Sequence, residues 1–275
     1  HLLYQKAVEN GVSFIFESVT AITKNQENFQ VNFLKYSNYS AKIVVGAYGK
    51  RSGLDKFLNR DFISQKSSWM GVKSHYHFDG FPENEVALHN FKGGYGGLSK
   101  TETGAVNFCY LTSYASFQKT KNIKAFNTQV VSQNPFLKEF LLQANPIFTT
   151  PLTIAQISFQ PKSVVENHIL MCGDAAGLIH PLCGNGMAMA IHAAKIVSES
   201  IIKFLVSKNY PREQMEDDYQ LAWKNAFERR LWVGRKLQSV LLNERWSSFS
   251  QRAAVHSPYL LRKVVKATHG KPIIC

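Results

Sequence analysis

One carboxylate and a run of small residues stand together in MCGDAAGLIHPLCGNGMAMAIHAA, residues 171–194. The apolar run Ile169-Leu170-Met171-Cys172 stops at Gly173-Asp174 and reads as a buried strand. Small residues and Pro181 then lead to Gly184 and Gly186, where a helical pattern opens. Gly173, Ala175, Ala176 and Gly177 carry almost no side chain, so a ligand can approach the backbone closely. Asp174, at the carboxyl end of the strand, is placed to accept hydrogen bonds from ligand hydroxyls, where open α/β sheets bind their ligands. The helix opening at Gly184 presents free N–H groups and a positive end that suits an oxyanion or an electron-rich ring edge. A polyol joined to an anionic or electron-accepting group meets these demands, as the ribityl chain and ring of a flavin do. Spacing alone does not separate flavin from another nucleotide.

Other chemistry is sparse. The cysteines Cys109, Cys172, Cys183 and Cys275 form no C-x-x-C pair and no metal spacing, which predicts reduced thiols, a cytoplasmic setting and no metal site. The formal charge is +13, and residues 195–275 supply 15 basic against 7 acidic side chains. No nucleic-acid motif accompanies that excess, which leaves a solvated basic face or a peripheral contact with an anionic membrane. No run of apolar residues is long enough for a transmembrane helix, and no signal peptide is visible. No obligate protein partner is evident.

Elements must hold the 173–187 loop in place. Leu2, Leu3, Lys6 and Ala7 recur at helical spacing and Gly11 stops them, as if a helix were already under way at His1. Residues 12–22 and 29–37 read as strands with the turn KNQEN between them. Ile43-Val44-Val45 reads as a short buried strand, and a helix starts near Ser52. Four strand-like runs at 69–79, 84–94, 94–100 and 104–113 follow, then a helical stretch at about 116–143 and a strand at 152–160. After the strand at 168–172 the rest is helical, with Met215, Tyr219, Ala222, Trp223, Ala226, Phe227, Leu231 and Trp232 on one stripe.

At this point the sequence resembles a known family. GDAAGLIHPLCGNGMAMAIHAA is similar to the Gly-Asp flavin motif of FAD-dependent monooxygenases and reductases of the p-hydroxybenzoate hydroxylase type, a superfamily that includes the geranylgeranyl reductase-like enzymes. VVGAYGKRS at 44–52 resembles that family's second signature, FKGGYGGLSKTETGAVNFCYL at 91–111 its reductase-like substrate strands, and LLYQKAVENGVSF its helix-to-strand unit. The resemblance implies an α/β (α+β) chain. An incomplete FAD/NAD(P)-binding Rossmann-like domain would occupy 1–65 and 161–207, with an inserted antiparallel-sheet substrate domain at 66–160 and a C-terminal helical region at 208–275. It implies that Gly173, Asp174 and Ala175 hold the ribityl and pyrophosphate region of FAD. Pro181, Gly184, Asn185, Gly186 and Met187 would pass beside the ring and aim the helix end at its N1/O2 edge. Gly46, Gly49, Arg51 and Ser52 would shape the second loop, with Arg51 reading either as a phosphate partner or as a surface residue.

Two departures accompany it. The G-x-G-x-x-G fingerprint and the acidic ribose-binding residue are absent, which predicts an N-terminally truncated chain whose upstream part supplies them. Tyr48 stands where the second signature has Asp, and a phenol is no anion at neutral pH. The implied activity is FAD-dependent monooxygenation of an apolar or aromatic substrate with NAD(P)H as donor. Flavin-dependent reduction of a prenyl or polyketide-like C=C bond is the alternative, and a non-catalytic basic membrane-surface or lipid-binding protein is an alternative of another class. The visible chain lacks the W-x-W-x-I-P signature of flavin halogenases, and nothing in it supplies the paired acid and hydride site of a nicotinamide-only dehydrogenase. Cys183 reads as a small filler, His180 as a proton relay or a backbone-positioning residue, and His75, His77 and His89 are assigned no catalytic role.

Overall fold

The computed structural model describes residues 2–65, 67–242 and 256–269. Helix α1 (Leu2–Glu9) ends at Gly11, whose φ of +80° provides the left-handed stop. The segment 12–18, expected as strand, pairs with no described strand. Its alternate aromatics turn back instead, with Phe14 and Phe16 in ring contact with Tyr4 of α1. Strands β1 (Val19–Asn25) and β2 (Asn28–Phe33) form the expected hairpin about Gln26-Glu27, and β3 (Tyr39–Ala41) extends it. The expected buried strand at 43–45 is only β4 (Val45–Gly46), and Val45 is 37% exposed because β4 is the edge of its sheet.

Helix α2 (Gly53–Phe57) begins at the expected Ser52, in a capping box closed by Asp55. The four strand-like runs are β5 (Trp69–His77), β6 (Val86–Phe91), β7 (Gly94–Lys100) and β8 (Val106–Ser113), joined antiparallel in the order β5-β8-β7-β6. The helical stretch is broken into α3 (Tyr114–Phe117), α4 (Ile123–Gln129) and α5 (Pro135–Gln143), the last capped by Asn134 with Pro135 at its first position. Strands β9 (Asn145–Pro146) and β10 (Leu152–Ile154) add to β5, so the expected strand at 152–160 is confined to its first residues.

Alternation decides which face of this sheet does what. Met70, Val72, Tyr76, Val106, Phe108 and Tyr110 lie under Phe126, Leu137 and Phe140 of α4 and α5. Trp69, Tyr95 and Leu111 point to the other face, where Ile157, Phe159 and Leu178 complete a smaller cluster. The sheet is thus covered by helices on one side and by the returning chain on the other.

The chain then forms β11 (Val165–Glu166) and β12 (Ile169–Met171), and β12 runs parallel to β4 with Leu170 opposite Val45 and Met171 opposite Gly46. Helix α6 (Gly186–Val206) and the 31-residue α7 (Arg212–Leu242) follow, then α8 (Pro258–His269). Of the stripe expected on α7, Met215, Tyr219, Trp223, Phe227 and Leu231 are buried, and Trp232 is 54% exposed because it lies one residue past the stripe. Among the described residues no helix is long and apolar enough to cross a membrane, and Cys109, Cys172 and Cys183 are free thiols. Cys275 lies outside the described residues.

Candidate functional site

The strand β12 carries Asp174 to the edge of the core. Ile169, Leu170 and Met171 are fully buried, and Tyr219 of α7 donates its hydroxyl to the Met171 carbonyl at 2.5 Å. Beyond Cys172 the backbone turns at Gly173, whose φ of +61° only glycine adopts without strain. The next turn is locked by two cations. Arg60, 3% exposed, donates to the Ala175 carbonyl at 3.0 Å and the Ser163 carbonyl at 2.8 Å. Lys162 donates to the Asp174 carbonyl at 2.7 Å and the Lys50 carbonyl at 2.8 Å, with its ammonium 4.4 Å above the Phe62 ring. These bonds tie the Gly-Asp turn to the loop after β4, so the two signature segments form one unit.

The Asp174 carboxylate accepts no hydrogen bond from a described residue, so its acceptor capacity is free for a ligand. Burial pushes its pKa up, and Lys162 and then Lys50 pull it back. Burial, reinforced by Arg60, lowers Lys162 to about 8, with Asp55 and Asp174 opposing. Lys50 is also lowered by burial and raised by Asp174. The turn is therefore a half-buried carboxylate between two amines, a setting that accepts hydroxyls through Asp174 and tolerates added negative charge through the lysines.

Tyr48 occupies the place of the expected family carboxylate, and a carboxylate is nevertheless present. The Tyr48 hydroxyl donates to Asp55 Oδ1 at 2.9 Å and accepts from Arg60 at 3.2 Å, while Asp55, fully buried, pairs with Arg60 at 3.0 Å. Burial first, and the bond to Asp55, push the phenol to about 12, so it stays neutral. Asp55, Arg60, Lys50 and Lys162 were missed in the sequence. Only Asp55 had a local signal, the Ser-x-x-Asp capping spacing from Ser52. Ser52 itself is spent as the cap, accepting from Leu54 N–H at 3.3 Å. Gly46 is required by packing, since a Cβ there would lie 2.6 Å from Met171 Sδ. Gly49 is open, and Arg51, half-buried, bonds to no described residue.

The small residues after Asp174 answer to the protein as well as to any ligand. Ala175 and Ala176 are fully buried, and a Cβ on Gly177 would lie 2.8 Å from the Trp223 ring. Packing inside the protein thus accounts for the small residues at 175–177, whereas a Cβ on Gly173 would meet nothing closer than 3.4 Å, and the segment from Pro181 is more open. There Pro181 and Gly184 are exposed, and Gly184 has φ +60°. The helix begins at Gly186, two residues later than expected, because Gly184 closes a short 3-10 turn first. The first helical bond runs from Met189 N–H to the Asn185 carbonyl, so the amides of Gly186, Met187 and Ala188 point out of the helix end without backbone partners among the described residues. Met187 is 84% exposed beside them. The Asn185 side chain is buried and donates to the Thr268 and His269 carbonyls at 3.2 and 3.1 Å, closing the last turn of α8. Unpaired helix-end carbonyls need donors, and Asn185 is spent there.

His180 and Cys183 lie on the inner side of the loop. Burial lifts the Cys183 thiol to about 11, which removes its nucleophilic form. His75 and His77 share the sheet face opposite the helices, and His89 stacks on Phe136.

Comparison with known proteins places the fold. No family model matches the chain. HpxO of Klebsiella pneumoniae, solved with FAD and uric acid, superposes with a TM-score of 0.74 over 97% of this chain and 70% of that one, at 15% identity. The flavin-dependent brominase Bmp2 superposes with a TM-score of 0.73 over 100% of this chain and 69% of that one, at 16% identity. In sequence, 80 residues are 31% identical to the digeranylgeranylglycerophospholipid reductase of Methanococcus vannielii, which is 29% of this chain and 20% of that protein. The chain thus has the α/β fold of FAD-dependent oxidoreductases and spans about a fifth of that curated relative.

Proposed function

We propose that this chain carries the ring-side part of an FAD site and serves an FAD-dependent oxidoreductase, a monooxygenase acting on an apolar or aromatic substrate with NAD(P)H as donor. The observation that carries it is the unpaired Asp174 carboxylate at the end of β12, beside the open helix end at Gly186–Ala188. The residues present fit the cofactor. Asp174 would hold the ribityl hydroxyls, Lys50 and Lys162 would offset pyrophosphate charge, and the amides of Gly186 and Met187 would face the ring. When bound, FAD supplies the two-electron redox chemistry that no side chain here provides. The chain contributes the rest: it orients the cofactor's sugar alcohol, sets a positive helix end where negative charge develops, and walls the ring from water with the 181–187 loop.

The second reading, reduction of a C=C bond in a prenyl-like substrate, is favoured by the 80-residue match to the reductase. Product mass with and without heavy oxygen gas separates the two. The cofactor assignment is tested by titrating the chain with FAD and reading flavin fluorescence against Asp174→Ala. The expected result is saturable quenching that Asp174→Ala weakens by about tenfold, or about 1.4 kcal/mol. No change in flavin signal with either protein overturns the reading.

A further inference from the structure

A cavity of about 310 Å³ lies where α7 crosses the inner side of the 180–183 loop, lined in part by Trp69, Phe159, His180, Arg235 and Gln238. None of these residues belongs to the proposed flavin site. The buried stripe of α7 continues past Leu231 and Gly234 to Gln238, where a carboxamide 4% exposed takes the place of an apolar side chain. Its Oε1 is buried and unpartnered, and so are both ring nitrogens of His180, which is 3% exposed. A buried polar atom with no partner is destabilising unless something completes it. The cavity is also much larger than one bridging water needs.

The atoms offered define the occupant. Arg235 brings a guanidinium that bonds to no described residue. Burial, reinforced by Arg235, holds His180 neutral, with its pKa down to about 3, so the ring gives one donor and one acceptor. Gln238 Oε1 adds an acceptor. The walls are flat and apolar: Phe159 stacks on the His180 ring at 3.7 Å, and Trp69 stands beside them. We propose that this cavity binds a small organic anion, its oxyanion on Arg235 and a neighbouring hydroxyl or amine donor on Gln238 and His180. A guanidinium recognises carboxylate and phosphate alike, so the source of the oxyanion is left to the test.

The site is built from this chain alone and needs no flavin, so its test is independent of the cofactor reading. Trp69 reports from the cavity wall, and its fluorescence is isolated as the difference from Trp69→Phe. The probes are mandelate, its uncharged amide mandelamide, phenylacetate, which lacks the hydroxyl, and phenyl phosphate. Mandelate is expected to change the Trp69 signal saturably, with mandelamide about tenfold weaker. Arg235→Gln is expected to reduce mandelate to the level of mandelamide, and Gln238→Leu to weaken mandelate without affecting phenylacetate. Phenyl phosphate binding more tightly than mandelate supports the site and assigns the oxyanion to a phosphate monoester. Equal binding of mandelate and mandelamide by the unaltered protein, or no saturable change with any probe, overturns the proposal even if the variants fail to fold.

Discussion

Asp55 and Arg60 form the most heavily committed ion pair among the described residues. Arg60 also holds the Tyr48 hydroxyl and the carbonyls of Ser163 and Ala175, so one side chain joins α2 to the Gly-Asp turn. Removing a partner from a buried pair strands the other charge. Asp55→Ala is therefore expected to cost about 3–5 kcal/mol in urea unfolding, and a loss below about 1 kcal/mol would show that the pair does not hold the turn. His180 makes a pH prediction. Its folded pKa, about 3, lies below the unfolded value of 6.5, so the unfolded chain binds the extra proton. Its contribution is intact above pH 6.5 and is lost as pH falls towards 3, with a slope of up to about 1.4 kcal/mol per pH unit. His180→Phe should flatten that part of the stability profile. An unchanged acid limb would mean that the imidazole titrates normally. The role of Arg60 was not legible in sequence, because it meets partners more than a hundred positions away.

At the scale of elements, α7 is the brace behind the turn. Its Tyr219 caps the end of β12, and its Trp223 ring lies against Gly177. Gly177→Ala is expected to destabilise by about 1–3 kcal/mol through overpacking. Trp223→Leu in the same chain should recover part of that loss, since it removes the colliding ring. Additive losses in the double variant would point to backbone conformation instead. Local pattern was enough for most elements here. The substrate-side strands alternate apolar and polar residues, and α2, α4 and α5 carry caps that sequence makes visible. Local pattern misplaced the start of α6 and the strand at 12–18. The first was decided by the turn at Gly184 and the second by pairing, which a single strand does not encode.

At the scale of the whole molecule, one side of α6 is apolar and exposed among the described residues. Met187, Ile191, Ala194, Ser198, Ile202 and Leu205 follow one another at helical spacing along the exposed side of α6, and β4 is an unpaired edge. In a doubly wound sheet such a face packs against a further βα unit, which is also where the adenosine half of FAD would be held. The chain is therefore expected to bind FAD and FMN with similar, weak affinity by flavin fluorescence titration. FAD binding more than tenfold tighter than FMN would show that these residues already contain an adenosine site. Ile191→Glu combined with Ile202→Glu is expected to lower self-association in light scattering without changing the helical circular dichroism signal. Unchanged scattering would mean that the face is not sticky.

The sequence by itself determined the layout of the turn: a buried strand, a glycine, one carboxylate and a helix opening. It also determined the antiparallel sheet and the start of α2, because period and capping are local properties of the chain. Tertiary structure alone decided which small residues make room for α7 and which stay open, since close packing and ligand access select the same residue types. It alone brought Arg60 and Lys162 to the turn, buried Asn185 against α8, and set Gln238, His180 and Arg235 around one cavity. Those arrangements depend on long-range packing, in which burial fixes the charge, partners and exposure of side chains whose own sequence neighbourhoods are unremarkable.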